Sequence, residues 1–193
     1  MMKHSPVDFT FSAASCIWGC LLLLLAPLNL VFSFYVAATV HELSHILALR
    51  LFHVPIYSIS LGISGAVIHT APICPKQELI CAAAGPAGSF LCILLLRTFP
   101  LAALFGLIQG IYNLLPVYPM DGGRMLRCIY QICCPSRSDL ICKAVMVITL
   151  TTVGGLCLYL YIHTSNSLFL LITLYILLQT CPKRKIPCKE PRY

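Results

Sequence analysis

The sequence predicts an all-α polytopic membrane protein of about six transmembrane helices, with a short β-hairpin after the second helix. Composition is the first indication. Apolar residues make up 59% of the 193 residues and charged residues 10%, with a mean hydropathy of +0.90, whereas about 25% of the residues of a soluble domain are charged. Apolar runs of about 20 residues, the length that spans a bilayer, recur along the chain. These two observations exclude a soluble protein built around one core.

The breaks between the predicted helices are visible as prolines and polar residues. The helices cover approximately residues 9–26, 30–52, 79–97, 100–115, 144–162 and 167–181, and a basic tail follows at residues 182–193. Pro116 and Pro119 end the fourth helix, because proline cannot continue a regular helix. The backbone from Val117 to Asp121 is therefore expected to be irregular, and a basic loop is expected to follow it. No connection is long enough for a soluble domain, so residues 1–193 are expected to form one membrane domain.

Residues 54–70 show a different period from the helices. Ile59, Leu61 and Ile63 alternate with small or polar residues, and alternation by twos is typical of a strand. Gly62 and Gly65 would permit a turn or bulge. We therefore expect a short hairpin here in preference to a plain connecting loop.

The basic residues predict the orientation of the helices. With six spans, all of the 13 Lys and Arg residues except Arg97 fall on the side that holds both termini. The positive-inside rule places that side in the cytoplasm, so we expect a multi-pass protein of the cell membrane. The net charge of +7 then reflects topology and affinity for anionic lipid headgroups, and no nucleic-acid partner is expected.

The 12 cysteines do not form a recognisable metal or disulfide pattern. They are scattered over apolar segments, and no CxxC pair occurs. Free cysteine behaves as a small buried hydrophobe, which is the favoured interpretation. A zinc site at Cys128, Cys133 and Cys134 is the weaker alternative.

The second predicted helix contains the sequence HELSH, in which His41, Glu42 and His45 interrupt an apolar run. Histidines four residues apart lie about 40° apart around a helix, so both can reach one metal ion, with Glu42 about 100° from His41. In the HExxH pattern two imidazoles hold zinc and the glutamate handles the proton of a water. Hydrogen bonding between helices would explain the histidines alone, but not a glutamate between them in lipid. The pattern therefore predicts a site for one catalytic Zn²⁺.

A catalytic zinc usually takes three protein ligands, so a third ligand is required. Among the acidic residues, only Glu42 and Asp121 lie within or at the edge of an apolar segment at the right depth. The second and fourth helices run in the same direction, which allows Asp121 to meet the histidines. His53 and His69 are weaker competitors, and His163 is expected at the opposite side of the membrane. An ordinary Asp-Gly turn is the other interpretation of Asp121.

Two stretches together resemble the site-2 proteases, a family of intramembrane zinc metalloproteases. They are HELSH at 41–45 and NLLPVYPMDGG at 113–123, and the resemblance covers most of residues 30–124. Without a soluble regulatory domain, the chain is most similar to the compact bacterial branch that includes the protease for a membrane-tethered sporulation sigma-factor precursor. The resemblance implies that the zinc ligands are His41, His45 and Asp121. It also implies Glu42 as general base and then acid, and Asn113 as a residue that binds substrate or stabilises the oxyanion.

The resemblance also implies the substrate class and shows two departures from the family pattern. Met120 stands where family members often have leucine, and Ser89 replaces the asparagine of a GPxxN signature, so the sequence assigns Ser89 no role. The implied activity is hydrolysis of peptide bonds within or next to transmembrane segments of membrane-tethered regulatory proteins, with the lipid bilayer and a regulatory membrane protein as further partners. The alternative is a non-catalytic polytopic zinc-binding membrane partner or metal carrier, for which a damaged Glu42 or a missing third ligand would be expected.

Overall fold

A three-stranded sheet and seven α-helices make up the computed structural model, which describes residues 8–62 and 65–180. The strands are β1 (Asp8–Phe11), β2 (Ile56–Gly62) and β3 (Gly65–Thr70). The helices are α1 (Ala13–Leu25), α2 (Leu28–Leu51), α3 (Pro75–Leu91), α4 (Pro100–Asn113), α5 (Asp121–Cys133), α6 (Ser138–Thr164) and α7 (Leu168–Thr180). Short 3-10 turns at Cys92–Leu95 and Pro135–Arg137 follow α3 and precede α6.

The chain divides into two compact units, Met1–Thr149 and Leu150–Tyr193. The first unit contains the sheet, helices α1 to α5 and the beginning of α6. The second contains the rest of α6 and α7. All the residues that the sequence nominates for the site belong to the first unit.

Three helical segments among the described residues are long and apolar enough to cross a membrane: Leu28–Leu51, Pro75–Leu95 and Pro135–Thr164. Large apolar side chains on them are exposed, for example Leu43 and Leu47 on α2, as expected for helices that face lipid. The protein is therefore a membrane protein by the length and composition of its helices. The count of six spans stays a prediction, and the predicted basic tail at 182–193 lies outside the described residues.

Helix α3 is at the centre of the first unit, where it packs against α2, α4 and α5. Its buried face is made mostly of small residues: Cys81, Ala82, Gly85, Pro86, Gly88 and Ser89. Small residues allow helix backbones to approach closely within a membrane. This close approach brings α2 and α5 to the same face of α3.

The N-terminal segment differs from the helix predicted to begin at residue 9. Asp8–Phe11 forms β1, and α1 begins only at Ala13. β1 pairs in parallel with β2, and β2 pairs antiparallel with β3. The predicted hairpin is thus present, but as two strands of a three-stranded sheet in which β2 is central. A hydrogen bond donated by Thr10 Oγ1 to Ser60 Oγ at 2.8 Å stabilises the added strand.

The segment after the fourth helix confirms one prediction and corrects another. The backbone between Leu114 and Met120 is irregular as predicted, but the expected basic loop is largely helical, since α5 covers Asp121–Cys133. Gly122 makes this possible, because a Cβ there would overlap the carbonyl of Leu114. The loop can therefore fold back onto the first turn of α5, where a carboxylate such as Asp121 is favoured by the helix dipole.

Candidate metal centre

The two histidines of HELSH project from one face of α2, as residues four apart in a helix must. Their Nε2 atoms are 3.2 Å apart and their ring centroids 4.8 Å apart. Both side chains are buried, with His41 3% and His45 7% exposed. The two imidazoles therefore present their Nε2 atoms to a common point inside the bundle.

Asp121, the first residue of α5, completes a triangle of ligand atoms. Its Oδ2 lies 3.2 Å from Nε2 of His41 and 3.2 Å from Nε2 of His45. Among the residues described by the structure, these three form the one group of His, Cys, Asp or Glu side chains that could hold a metal ion. The structure thus brings together the three ligands that the sequence nominated.

The triangle has the dimensions and the chemistry of a zinc site. Ligand atoms about 2.0–2.1 Å from a tetrahedral zinc lie about 3.3 Å from each other, close to the three observed distances of 3.2 Å. Asp121 Oδ2 is buried and has no hydrogen-bond donor. Lone pairs that converge in a buried place need a cation between them, so two imidazoles and a carboxylate fit Zn²⁺.

Helix α3 holds the other nitrogen of each imidazole. His45 Nδ1 lies 2.8 Å from the carbonyl oxygen of Cys81, which can only accept, so Nδ1 must donate and Nε2 of the neutral ring is left with its lone pair. His41 Nδ1 lies 2.8 Å from Ser89 Oγ. Metal-binding histidines commonly have such partners, which fix the tautomer and the ring orientation.

Ser89 therefore has a place in the site that the sequence analysis did not give it. Its side chain is fully buried, with 0% exposure, and its hydroxyl contacts His41. The sequence assigns it no role because it stands where the family pattern has asparagine. The sequence does contain one indication of this role: Ser89 places a hydroxyl among the small residues of an apolar helix, and a buried polar group needs a partner.

Gly85 is the position at which α3 comes closest to the histidines. A Cβ at this residue would overlap Nε2 of His45 and lie 2.8 Å from Cε1 of His41. No other residue leaves room for both rings. The sequence showed a small-residue helix but gave no indication that one glycine faces the metal ligands directly.

Glu42 and Asn113, predicted as the general base and as a substrate-binding residue, line the same cavity as the candidate ligand atoms. That cavity is lined by His41, Glu42, His45, Leu49, Ala66, Ile68, Thr70, Ile73, Cys81, Asn113, Pro119, Met120, Asp121 and Arg124. Glu42 Oε1 accepts a hydrogen bond of 3.4 Å from the backbone N–H of Ala66 in β3. Asn113 Nδ2 donates one hydrogen bond of 3.1 Å to the carbonyl of Gln109, which leaves its second N–H for another partner.

The electrostatic environment keeps Asp121 ionised. Its carboxylate oxygen Oδ1 lies 3.7 Å from Nη1 of Arg124, and a positive charge this close favours the ionised carboxylate. The carboxylate is therefore available as an anionic ligand at neutral pH.

The other candidate metal ligands are not part of the group formed by His41, His45 and Asp121. His53, His69 and His163 are absent from the metal-binding group found among the described residues. The cysteine alternative is not formed either, since Cys128 is buried while Cys133 and Cys134 are exposed, and no cysteine joins a group of three ligands in the described part of the chain.

Three comparisons each find a similarity between this chain and known proteins. The sequence profile of peptidase family M50 matches residues 92–153, which include Asn113 and Asp121. A zinc metalloprotease of Methanocaldococcus jannaschii is 33% identical over 129 residues, which cover 60% of this chain and 35% of that protein. A solved structure of a site-2 protease from the same organism matches with a TM-score of 0.65 and 23% identity, over 93% of this chain and 92% of that chain.

The fold and the cluster define a membrane protein with a buried centre of two histidines and an aspartate, suited to a metal ion. Part of this chain is thus similar to peptidase family M50 and to a zinc metalloprotease, and its fold is similar to that of a site-2 protease, in agreement with the resemblance of its two motifs. The chain spans 35% of the length of the curated relative it matches, and the structural match at 23% identity concerns the fold. Placement in the compact bacterial branch stays a prediction.

Proposed function

We propose that this protein is an intramembrane zinc metalloprotease. It would hydrolyse peptide bonds within or next to transmembrane segments of membrane-tethered regulatory proteins, in regulated intramembrane proteolysis. The observation that carries the proposal is the triangle formed by Nε2 of His41, Nε2 of His45 and Oδ2 of Asp121, which lines one cavity together with Glu42. A glutamate beside three metal ligands is the set of groups that peptide hydrolysis requires.

Each of these side chains has a distinct role in the proposed reaction. His41, His45 and Asp121 would hold one zinc ion. When bound, zinc supplies Lewis acidity that polarises the scissile carbonyl and brings the pKa of a coordinated water to about 7. Glu42 accepts the proton of the attacking water and passes it to the leaving amine. Asn113 offers its second N–H to the substrate or to the oxyanion.

Exposed basic residues at the end of α2 and the start of α3 support the proposal that water reaches the site from the cytoplasm. Arg50 and Lys76 are both exposed, and they lie on the predicted positive side, close in sequence to His45 and Cys81. We therefore propose a multi-pass protein of the cell membrane with both termini in the cytoplasm, in which water enters and products leave on that side. A regulatory membrane partner that controls access is compatible with this arrangement.

Strand β3 is the edge strand with which, in this proposal, an unwound segment of the substrate pairs. β2 has a strand on each side, so the edge cannot lie in residues 58–62, while β3 has a partner only on its β2 side among the described residues. The N–H of Ala66 points away from β2, towards Glu42. Because N–H direction alternates along a strand, the N–H of Ile68 also faces away from β2, and both residues line the cavity. An extended substrate can thus add a strand beside Glu42.

Ile68→Pro tests this edge. We expect the substitution to slow cleavage at least tenfold, because proline removes the outward N–H without removing a bond of the β2–β3 ladder. The matched control is Ile68→Ala, which removes the side chain but keeps the N–H, and the measurement is the cleavage rate of a single-span substrate in lipid vesicles at equal zinc content. Equal rates for the two variants would show that this N–H does not pair with substrate.

Metal removal tests the activity itself. We expect the purified protein in vesicles to lose cleavage of a single-span substrate when a zinc chelator is added, and to regain it when zinc is restored. Metal content measured in parallel should follow the activity at one ion per chain. Persistent cleavage by fully metal-free protein would contradict the proposal.

The alternative, a non-catalytic zinc-binding partner or metal carrier, is distinguished by the same assay. Such a protein would bind zinc through the same triangle but release no fragment from any substrate. The contact of Glu42 with β3 inside the cavity favours the enzyme, because a carrier has no need of a base at that position. Zinc binding without cleavage of any tested membrane-tethered transcription factor would favour the carrier.

A further inference from the structure

Arg124 lies between the third candidate ligand and helix α3. Its Nη1 is 3.7 Å from Asp121 Oδ1, and its Nε is 3.6 Å from Glu78 Oε1. These are ion-pair distances and are too long for hydrogen bonds. The guanidinium thus contacts a carboxylate on its own helix and a carboxylate on the neighbouring helix.

The two oxygens of Asp121 have different surroundings. Oδ2 faces the two imidazoles, and Oδ1 faces Arg124. A carboxylate can bind a metal through one oxygen or through both, and a cation beside one oxygen favours binding through the other. Arg124 is therefore placed to direct Oδ2, and not Oδ1, towards the histidines.

Glu78 ties this arrangement to the helix that supports the histidines. Glu78, Cys81, Gly85 and Ser89 follow one another at helical spacing, so they lie along one face of α3. Cys81 and Ser89 contact the imidazoles, and Glu78 contacts Arg124 one turn before Cys81. The same face of α3 thus supports all three ligands, two directly and the third through Arg124.

Cys128 adds a second contact between α5 and Glu78. Asp121, Arg124 and Cys128 share one face of α5, and Cys128 is 1% exposed. Burial and the nearby Glu78 carboxylate raise the pKa of the Cys128 thiol to about 11. Glu78 on α3 thus contacts two residues of α5, Arg124 and Cys128.

We propose that Arg124 is a positioning residue of the metal centre, which holds Asp121 through Oδ1 so that Oδ2 alone faces the metal, and which Glu78 anchors to α3. The inference rests on the proposed zinc site but not on proteolysis. It predicts that substitution of Arg124 changes how the metal is held even where the chain folds normally. Loss of a residue that orients a ligand commonly weakens metal binding about 10- to 100-fold.

The test uses the full chain in detergent micelles, with Co²⁺ as a spectroscopic substitute for zinc and a chelator to measure zinc release. Arg124→Gln is expected to change the visible cobalt spectrum, which reports ligand number and geometry, and to speed zinc release at least tenfold. Arg124→Lys, which keeps the charge but lacks the planar fork, should give an intermediate spectrum. Glu78→Gln should give a smaller change, because Arg124 still contacts Asp121.

The matched control is Arg127→Gln, which removes an exposed positive charge from the same helix and should leave the spectrum and the release rate unchanged. A wild-type cobalt spectrum for Arg124→Gln overturns the inference, whatever its release rate. If that variant does not fold, Arg124→Lys decides by the same criterion. Failure of the metal site itself is separate: wild type and Asp121→Asn would then bind cobalt and zinc equally poorly.

Discussion

Glu42→Gln is expected to reduce cleavage by about 10²- to 10⁴-fold, the usual contribution of a general acid and base, while the zinc content stays the same. Glutamine cannot accept the proton of the attacking water. Its amide oxygen can still accept the hydrogen bond from Ala66 that Glu42 Oε1 accepts, so the cavity should keep its shape. Glu42 is also absent from the group of three ligand atoms, so metal binding should not depend on it.

The measurement compares wild type with Glu42→Gln, each co-expressed with candidate membrane-tethered transcription factors, by the fragments released and by zinc per chain. Asp121→Asn is the contrasting variant, since it should lose zinc as well as cleavage. Equal fragment release by wild type and Glu42→Gln would contradict the protease, provided that release depends on expression of this protein. Loss of zinc from Glu42→Gln would instead show that the glutamate is itself a ligand.

Gly85→Ala is expected to disable the metal centre with a single methyl group. The added Cβ would overlap Nε2 of His45 and lie 2.8 Å from Cε1 of His41, so the imidazoles and α3 cannot keep their present positions. Because the ligand atoms would no longer converge, zinc affinity should fall at least 100-fold and cleavage should fall with it. Zinc affinity by competition with a chelating dye measures the effect.

The matched control is Gly155→Ala, also a glycine in an apolar helix, whose Cβ would meet nothing within 4 Å. It should bind zinc and cleave substrate like wild type. Gly85→Ala with wild-type zinc affinity would mean that α3 can move away from the histidines at little cost. The close approach of α3 would then be unimportant for the metal centre.

The sequence predicts helix α2 and the shared face of its two histidines because both depend on local pattern. Residues four apart on a helix necessarily share a face, so His41 and His45 converge whatever the tertiary structure. Asp121 requires a long-range argument, which is elimination by membrane depth among the few acidic residues, and the structure places its carboxylate beside the two histidines. The shape of the backbone near Asp121 is harder to predict from the sequence. Arg124 and Arg127 suggested a loop, yet they recur at the spacing of a helix, and α5 is the result.

The contacts of α3 and the first strand were not predicted, for different reasons. Ser89 and Gly85 matter through the imidazoles they face, and no sequence pattern says which residue of a small-residue helix meets which partner. β1 is hard to predict because Phe9 and Phe11 also fit the apolar helix that follows. The alternation of Asp8, Phe9, Thr10 and Phe11 was a strand signal, but only pairing with β2 makes so short a strand stable.

The side of β3 that faces away from β2 has a consequence for which peptides the proposed protease would cut. The backbone groups of Ala66 and Ile68 face away from β2, and their side chains line the cavity. A bound peptide in register with them must be extended, so it presents every second side chain to the cavity and turns the intervening ones away. Selectivity should therefore follow an alternating pattern along the peptide, strict at one set of positions and permissive at the other. Compounds that imitate an extended strand should compete with substrate better than helical peptides do.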